Sequence, residues 1–408
     1  MSGILAIISE YNPFHNGHLK HLTFSKQLTK ADFSIAIISG NFVQRGDASL
    51  VDKWTKAEMA LQAGFDIVLE LPTIYAISSA ENFAEGAVKI LNSLGIVDYL
   101  SFGSELGELE PLNNLAHLLY KEPKELSFLI HQHLKTGISY PRAREMALMD
   151  FLGENALYKQ ALNSPNNILG IEYLKALKKY KSSIKPITIK REYSDHNSTT
   201  IKQGIASSTA IRNLLQKKKN IHTLVPFETY ELLEKQKQDG KIIPHLAVFE
   251  KEIIYCLRRM TLPEIAALPD VSEGLENKIK LAANHCNHLT DLIDHIKSKR
   301  FTTTRIQRIL LYALLNISQK DMNIAKRITP YVRVLGFNKH GKKIISAIAK
   351  QNPKAHIIIS VKKFMESTTD NHLRNLLSKD IFATNVYTLG YQNEPIANLD
   401  YTHKIIEI

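Results

Sequence analysis

The amino-acid sequence predicts an α/β protein in which a doubly wound parallel sheet is followed by a mainly helical portion. Three observations predict this fold class. Short apolar runs alternate with amphipathic helical patterns up to about residue 103, which is typical of β-α units whose sheet is covered on both faces. The first apolar run leads straight into a turn and a helical pattern. From residue 224 onward the alternation stops and helical patterns dominate.

Four apolar runs of strand length predict the first strands of this sheet. They lie at residues 4–8, 33–40, 65–71 and 97–102. Helices are predicted between the later runs, at residues 52–63 and 80–94, because apolar residues recur there with helical spacing. Gly64 and Gly95 follow these two patterns, as expected where helices end.

Beyond residue 103 the pattern is mainly helical, from residue 111 to about residue 180, with one more strand at 184–191. A polar loop is predicted at 194–203, and a new helix is predicted to start at Ser207, whose hydroxyl suits a helix cap. The lysines at 217–219 mark the predicted boundary between a first domain, 1–219, and a second domain, 220–408.

The second domain is predicted to be helical at residues 224–315 and 320–365. A short strand-like segment follows at 385–389. No internal repeat interrupts these patterns.

A candidate phosphate site lies where the first strand ends. His15 and His18 are three residues apart at a helix start, so both imidazoles can donate hydrogen bonds to one phosphate group. Unpaired N–H groups and the helix dipole favour an anion at the same place. Gly17 lies between the histidines and lets a purine base approach the backbone.

A second candidate phosphate site is the helix start at residues 207–212. Ser207 and Ser208 offer hydroxyl and N–H groups, and Arg212 follows one turn later. The two motifs together resemble those of the His-x-Gly-His nucleotidyl transferases, which cleave ATP next to its α phosphate, a reaction that requires charge stabilisation at the phosphorus and on the departing pyrophosphate. The resemblance implies that the two histidines lie at the α phosphate, and residues 207–212 at the pyrophosphate.

Other candidate site residues follow the predicted strands. Gly103 ends the fourth strand, at the sheet edge where ligands of this fold bind, and can lie beneath an adenine. Arg45 follows the second strand, and Lys53 and Lys56 lie on the next helix. These three cations are expected to face the same crevice and to hold a carboxylate or a phosphate.

Composition indicates a soluble globular protein, with 44% hydrophobic and 23% charged residues. No apolar run approaches the roughly 18 residues that span a bilayer, and no secretory signal precedes the first strand, so we expect a cytoplasmic protein without membrane contact. The cysteines, Cys256 and Cys286, lack metal-ligand or disulfide spacing. We therefore predict no metal site formed by the protein itself.

The charge of the chain predicts a polyanionic partner. The formal net charge is +12, of which +4 lies in residues 1–220 and +8 in residues 221–408. A basic excess of this kind favours nucleic acid over a small acidic substrate. The second domain is therefore the expected nucleic-acid surface.

The motifs resemble those of the bacterial tRNA(Met) cytidine acetate ligases, which belong to the nucleotidyl transferases with a His-x-Gly-His pattern and a Rossmann-like sheet. The resemblance covers the first half of the chain and continues more thinly to about Gly341. It rests on residues 9–18, 40–46, 52–54, 102–105, 164–170 and 207–212. In the loop after the second strand, Ala48 and Ser49 stand where the family is expected to have Pro-Ala. The resemblance therefore does not predict the shape of this loop.

The resemblance implies an enzyme that activates acetate with ATP to acetyl-adenylate and acetylates N4 of the wobble cytidine of elongator tRNA(Met). It assigns ATP chemistry to domain 1–219, with His15 and His18 as catalytic residues and Mg²⁺ carried with ATP. From their positions after the second strand, Arg45 and Lys53 are expected to bind the second substrate. The ATP-binding residues that it implies, together with those of the second phosphate site, are Ile7, Ile8, Ser9, Glu10, Tyr11, Asn12, Pro13, Phe14, His15, Asn16, Gly17, His18, Leu19, Lys20, Gly103, Asn167, Arg191, Ser207, Ser208 and Arg212.

A basic segment at residues 297–308 resembles the family's basic helix entry in the second domain. Arg300, Arg305 and Arg308 are expected to bind tRNA phosphates, and Phe301 can stack on a base. No motif predicts a protein partner.

Two other functions remain open from the sequence. One is an adenylyltransferase that builds a dinucleotide cofactor from ATP and a phosphorylated acceptor, although such an enzyme needs no large basic half. The other is a non-catalytic tRNA-binding protein that retains the nucleotide fold. The products distinguish them, because only the ligase passes an acyl group from an adenylate to RNA.

Overall fold

The apolar runs of the first half form the centre of a mixed, mostly parallel sheet. The structure, a computed structural model, describes residues 3–153, 156–191 and 204–408. The polar loop predicted at 194–203 lies outside these residues. The strands are β1 (Ile4–Ser9), β2 (Phe33–Ser39), β3 (Phe42–Val43), β4 (Asp47–Ala48), β5 (Ile67–Leu71), β6 (Tyr99–Ser104), β7 (Lys185–Lys190), β8 (Val332–Phe337), β9 (Ile357–Ile358) and β10 (Ile406–Glu407).

The strand order in the main sheet is β10-β8-β5-β2-β1-β6-β7, with β9 beside β8. Strands β1, β2, β5, β6 and β7 are parallel, whereas β8 runs antiparallel to β5. The register places Ser9 of β1 beside Ile38 of β2, so both strands end at the same edge of the sheet. Strands β3 and β4 form a separate small hairpin that follows β2.

Helices connect the parallel strands and make up most of the second half. They are α1 (Asn16–Thr29), α2 (Lys53–Gln62), α3 (Thr73–Ala76), α4 (Ala80–Leu94), α5 (Leu109–Lys121), α6 (Lys124–Lys135), α7 (Tyr140–Leu152), α8 (Ala156–Asn163), α9 (Pro165–Lys179), α10 (Ser208–Gln216), α11 (Phe227–Gln238), α12 (Glu250–Arg259), α13 (Leu262–Ala266), α14 (Leu275–His285), α15 (Leu289–Ile296), α16 (Thr303–Leu314), α17 (Gln319–Arg327), α18 (Lys339–Gln351), α19 (Val361–Ser367), α20 (Asn371–Thr388) and α21 (Leu399–Thr402), with a 3₁₀ helix at Leu246–Phe249. Among the described helices, none is both long and apolar enough to cross a bilayer.

Both faces of the sheet are buried, as the continuous apolar strands require. Leu5 and Ile7 of β1 pack into a cluster with residues of α1, α2 and α10. Their neighbours Ala6 and Ile8 pack into a larger cluster with α4, α5 and α9. The second cluster continues into the helices after residue 240, so the two halves of the chain share one apolar core.

The fold class predicted from the sequence is confirmed, and the five predicted strands of the first half are present as β1, β2, β5, β6 and β7. The second half differs from the prediction in several places. Residues 332–337 and 357–358, predicted within a helical stretch, form β8 and β9 and extend the sheet beyond β5. Residues 385–389, predicted as a strand, lie at the end of α20, where Val386, Tyr387 and Thr388 are buried.

These differences have one physical cause. A short apolar run with β-branched residues suits a buried strand or a buried helix turn equally well, and distant packing decides between them. The proposed division at residue 219 stays a prediction. Strands β8, β9 and β10 come from the second part but belong to the sheet of the first.

A buried cluster of charges links Asp400 of α21 to strands β5 and β8 of this sheet. Lys53 Nζ lies 3.0 Å from Glu70 Oε1 and 2.7 Å from Asp400 Oδ1, and Arg333 contacts both carboxylates. All four side chains are at most 5% exposed. Nearby Arg333 and Lys53 hold the pKa of Asp400 at about 2, against the opposing effect of its burial. The two cations and two anions thus compensate each other inside the core.

Asp400→Asn should lower the free energy of unfolding by about 3–5 kcal/mol, because it leaves two buried cations with one carboxylate. Urea denaturation followed by circular dichroism measures this loss. Glu394→Gln removes an exposed carboxylate nearby and should change stability by less than about 0.5 kcal/mol. Equal stability of the two variants would contradict the role of the cluster.

Candidate active site

A cleft lies where β1, β6 and β7 end and the α1 and α10 helices begin. It has an apolar arm lined by Phe24, Leu28, Ile189 and Ile205 among others, and a polar arm lined by Glu10, Gln44, Arg45, Ser207, Ser208, Thr209 and Arg212 among others. Five residues line both arms: His15, His18, His21, Gly103 and Arg191. The cleft is therefore at the sheet edge that the fold predicts for a ligand.

His15 and His18 are held together at the first turn of α1. The backbone N–H of His15 donates to His18 Nδ1 at 3.3 Å, and the two rings stack with centroids 3.6 Å apart. Gly17 allows this arrangement, because a Cβ there would lie 2.9 Å from His15 Cε1. Both imidazoles consequently face the cleft from the same helix end.

The protonation of His18 follows from its surroundings. Burial and the neighbouring His15 hold the pKa of His18 well below its ordinary value, so the ring is neutral. Its Nδ1 accepts the His15 N–H, which places the proton on Nε2. His18 can therefore donate one hydrogen bond from Nε2 into the cleft.

A third histidine, His21, lies one turn further along α1. Its Nε2 is 2.9 Å from Ser101 Oγ, and burial together with the charge of Arg191 lowers its pKa to about 3. The sequence reasoning missed His21. Helical spacing could have revealed this residue, since His21 stands three residues after His18 and so lies on the same helix face.

The two phosphate motifs, about 190 residues apart, meet at the turn before α1. Arg212 Nη1 donates to the Asn12 carbonyl at 2.8 Å, and Ser208 Oγ donates to the Pro13 carbonyl at 3.4 Å. Ser207 caps α10 by accepting the Ala210 N–H. The start of α10 thus faces the same cleft as the start of α1.

Asn16 adds a second link between these segments. Its side-chain amide donates to the carbonyls of Gly204 and Thr223, and its backbone N–H donates to Leu224. Burial lowers the pKa of Arg212, while the Asp47 carboxylate opposes this change. Arg212 remains a cation at neutral pH.

Gly103 and Arg191 come together at the ends of β6 and β7. The Arg191 N–H donates to the Ser104 carbonyl at 2.8 Å, and a Cβ on Gly103 would lie 3.1 Å from Arg191 Cγ. The stem of Arg191 therefore passes over Gly103. Both residues line the two arms of the cleft.

Asn167 lies behind the cleft surface at the start of α9. It is fully buried, and its Oδ1 accepts the Leu106 N–H at 3.1 Å. Its Nδ2 has no hydrogen-bond partner among the described residues. Glu105 accepts the backbone N–H groups of Asn166 and Asn167 and so fixes the start of the helix.

The predicted ATP loop divides into lining and supporting residues. Besides the two histidines, the lining residues are Ile8, Ser9, Glu10, Tyr11, Gly17 and Lys20. The others lie outside the lining and support the turn: Ile7, Asn12, Pro13, Phe14, Asn16 and Leu19. Asn12, for example, is buried and accepts the Leu50 N–H at 2.7 Å.

The three cations expected at the crevice lie in different surroundings in the structure. Arg45 lines the polar arm. Lys53 does not reach the cleft, because its amine is buried between Glu70 and Asp400. Lys56 is also buried, donates to the carbonyls of Ser39 and Gly40, and has its pKa lowered to about 7 by burial. The expectation that both lysines face the crevice was wrong, since helix position alone did not reveal their partners.

The arginines predicted to bind tRNA lie outside the cleft lining, at the start of α16. Arg300 pairs with Glu273 at 2.8 Å. Arg305 donates to the Asp270 carbonyl at 2.7 Å, and Arg308 lies 3.3 Å from the Asp270 carboxylate.

This helix start packs against the loop that carries Arg45. A Cβ on Gly46 would lie 2.6 Å from Gln307 Cβ. The basic segment is therefore a neighbour of the polar arm, through a contact that only glycine permits.

Comparison with known proteins identifies the family of this chain. A family model described as HIGH Nucleotidyl Transferase matches residues 2–400. The tRNA(Met) cytidine acetate ligase of Thermoanaerobacter sp. (strain X514) is 46% identical, with all of both chains covered. The chain belongs to this ligase family. The family member of Caldanaerobacter subterraneus subsp. tengcongensis is 45% identical, with 99% of each chain covered.

Solved structures of the family have the same fold. Apo Thermotoga maritima TmcAL matches with a TM-score of 0.94 at 34% identity, covering 100% of this chain and 99% of that one. The same ligase bound with alpha-thio ATP matches with a TM-score of 0.90 at 33% identity and the same coverage. The resemblance inferred from the motifs is confirmed.

The low pKa of His21 predicts a pH dependence of stability. The folded-state pKa is about 3, whereas an unfolded histidine has a pKa of about 6.5. The stabilising effect of the neutral ring is therefore complete above about pH 6.5 and is lost as the pH falls towards 3. Between pH 7 and pH 5 the expected loss is about 2 kcal/mol.

His21→Asn should lose less free energy of unfolding between pH 7 and pH 5 than the unaltered protein does, by about 2 kcal/mol. Urea denaturation at the two pH values measures this difference. His117, an exposed residue of α5, provides the matched His117→Asn control, which should lose stability like the unaltered protein. The same pH dependence in both variants would show that His21 is not the group responsible.

Proposed function

We propose that this protein activates acetate with ATP and transfers the acetyl group to N4 of the wobble cytidine of elongator tRNA(Met). The observation that carries the proposal is the meeting of two phosphate motifs at one cleft. His15 and His18 start α1, residues 207–212 start α10, and hydrogen bonds to the same turn join them. Family membership and the ATP-analogue complex of a relative support the choice of substrates.

In the first step an acetate oxygen attacks the α phosphorus of ATP, and the bond to pyrophosphate breaks. The protein needs no covalent nucleophile, because positioning and charge stabilisation supply the catalysis. His18 donates from Nε2 to an α-phosphate oxygen, with His15 stacked beside it. Arg212 and the N–H groups at the start of α10 stabilise the negative charge of the departing pyrophosphate.

Magnesium would arrive with ATP, bound mainly by phosphate oxygens. Glu10 is the carboxylate among the described residues lining the polar arm, and so faces the place where that ion would lie. The neutral rings of His18 and His21 do not repel such a cation. When bound, the ion would neutralise part of the phosphate charge.

In the second step N4 of the cytidine attacks the carbonyl carbon of acetyl-adenylate, and AMP departs with the bonding electrons. The amine loses a proton and becomes an amide. The base must leave its stack to reach the cleft, while the basic surface around α16 holds the RNA. We place the reaction in the cytoplasm, where ATP and tRNA are both present.

His15→Ala and His18→Ala should each lower acetyl-adenylate formation by about 10² or more, because each removes a donor to the transition state. Acetate-dependent exchange of labelled pyrophosphate into ATP measures this step. Labelled acetate with ATP and total tRNA, followed by digestion, should yield N4-acetylcytidine with the unaltered protein.

His117→Ala, which removes an exposed histidine elsewhere, should keep both activities. Near-normal exchange by both active-site variants would contradict the catalytic assignment. If the unaltered protein formed no acetylcytidine, the proposed reaction itself would be refuted.

Joint replacement of Arg300, Arg305 and Arg308 by alanine should weaken tRNA binding and make its salt dependence shallower, by about one unit of slope for each lost phosphate contact. Filter binding at several salt concentrations measures both effects. Acetate activation without RNA should persist, because none of the three lines the cleft.

The control for this variant removes three lysines from another exposed surface: Lys350, Lys354 and Lys362. The overall charge falls by the same amount in both proteins. If the two variants lost equal affinity, net charge rather than the α16 surface would explain tRNA binding.

A further inference from the structure

We propose that an aromatic recess at the side of the polar arm holds the methyl group of acetate, and that the Tyr173 hydroxyl donates to its carboxylate. The recess is lined by Ala80, Phe83, Phe102, Leu169 and Tyr173. This proposal rests on the proposed function, since it assigns the subsite for the acid in the same reaction.

Three elements form the walls of the recess. Ala80 and Phe83 come from α4, Phe102 from β6, and Leu169 and Tyr173 from α9. The rings of Phe102 and Tyr173 lie with centroids 5.9 Å apart. A Cβ on Gly170 would lie 2.5 Å from the Phe102 ring, so the close approach of α9 to β6 depends on glycine there. These contacts pack Phe102, Gly170 and Tyr173 closely together on one side of the recess.

The hydroxyl of Tyr173 is the polar group that marks the recess as a binding site. Tyr173 is 1% exposed, and its hydroxyl has no hydrogen-bond partner among the described residues. Buried hydroxyl groups in native proteins almost always have partners, and a missing partner calls for an explanation. A ligand oxygen in the recess supplies that partner.

The protonation of Tyr173 suits an anionic oxygen. Burial raises the pKa of the phenol well above its ordinary value, and the nearby Glu10 carboxylate acts in the same direction. The hydroxyl therefore keeps its proton and donates it in a hydrogen bond. A carboxylate, which only accepts hydrogen bonds, is the matching group.

The recess lies on the same cleft as the residues proposed to bind the α phosphate. Its residues belong to the same lining as His18 and Arg45, so a bound carboxylate can face the α phosphate while its alkyl group points away. The five side chains of the recess carry no polar atom except the Tyr173 hydroxyl. Such a site fits a short, unsubstituted aliphatic acid and disfavours acids with further polar groups.

Tyr173→Phe should raise the KM for acetate about tenfold or more in the pyrophosphate exchange assay, because a hydrogen bond to a charged group is lost. The KM for ATP should stay within about twofold, since the nucleotide makes other contacts. Tyr120→Phe, at an exposed tyrosine of α5, is the matched control and should leave both constants unchanged. Circular dichroism confirms that each variant is folded.

Phe83→Ala provides an independent test, because it enlarges the recess without touching its hydroxyl group. The ratio of kcat/KM for butyrate to that for acetate should rise about tenfold or more, the scale expected when space for methylene groups is created. A ratio that stays constant would overturn the assignment of the recess to the alkyl group.

The remaining outcomes separate this proposal from its alternatives. A raised KM for ATP with an unchanged KM for acetate in Tyr173→Phe would assign the recess to the nucleotide. A change confined to the KM for tRNA would assign it to the incoming cytidine. Either result overturns the acetate subsite. Absence of acetate-dependent exchange in the unaltered protein would instead refute the proposed function.

Discussion

The site depends on one constraint: two helix N-termini from distant parts of the chain must face the same cleft. The turn at Asn12 and Pro13 meets this constraint, because its carbonyl groups accept hydrogen bonds from Arg212 and Ser208. Each helix start alone is only a modest anion site. Together they give neighbouring donors and positive charge along a length that suits a polyphosphate. The parallel sheet fixes the first helix, and the turn then positions the second.

At this cleft His18 and His21 can act only by hydrogen bonding and shape, because their surroundings keep both rings neutral. His18 and His21 are both held below their ordinary pKa, chiefly by burial. A neutral donor does not bind the ground-state phosphate as tightly as a cation would. The stronger charge belongs to Arg212, which in the proposed reaction lies on the side where pyrophosphate would leave. The proposed arrangement thus concentrates electrostatic stabilisation where negative charge would develop during the reaction.

Much of this was predictable from the sequence. The strands β1, β2, β5, β6 and β7 are continuous apolar runs with clear ends, and both phosphate motifs follow local rules for helix starts. His21 could also have been predicted, because helical spacing alone places it beside His18.

Other features depend on residues far apart in the chain, which local patterns do not reveal. Lys53 stands at a helix start that leads towards the cleft, yet its partners are Glu70 and Asp400. Strand β8 needs β5 beside it, and the recess at Tyr173 needs three separate elements.

The charge cluster at Asp400 also has a consequence for the nascent chain during translation. Lys53 and Glu70 leave the ribosome long before Asp400, which emerges some 330 residues after Glu70. The sheet beside the cleft therefore cannot reach its final charge balance before Asp400 has been synthesised, and until then a nascent chain must carry Lys53 either solvated or incompletely paired.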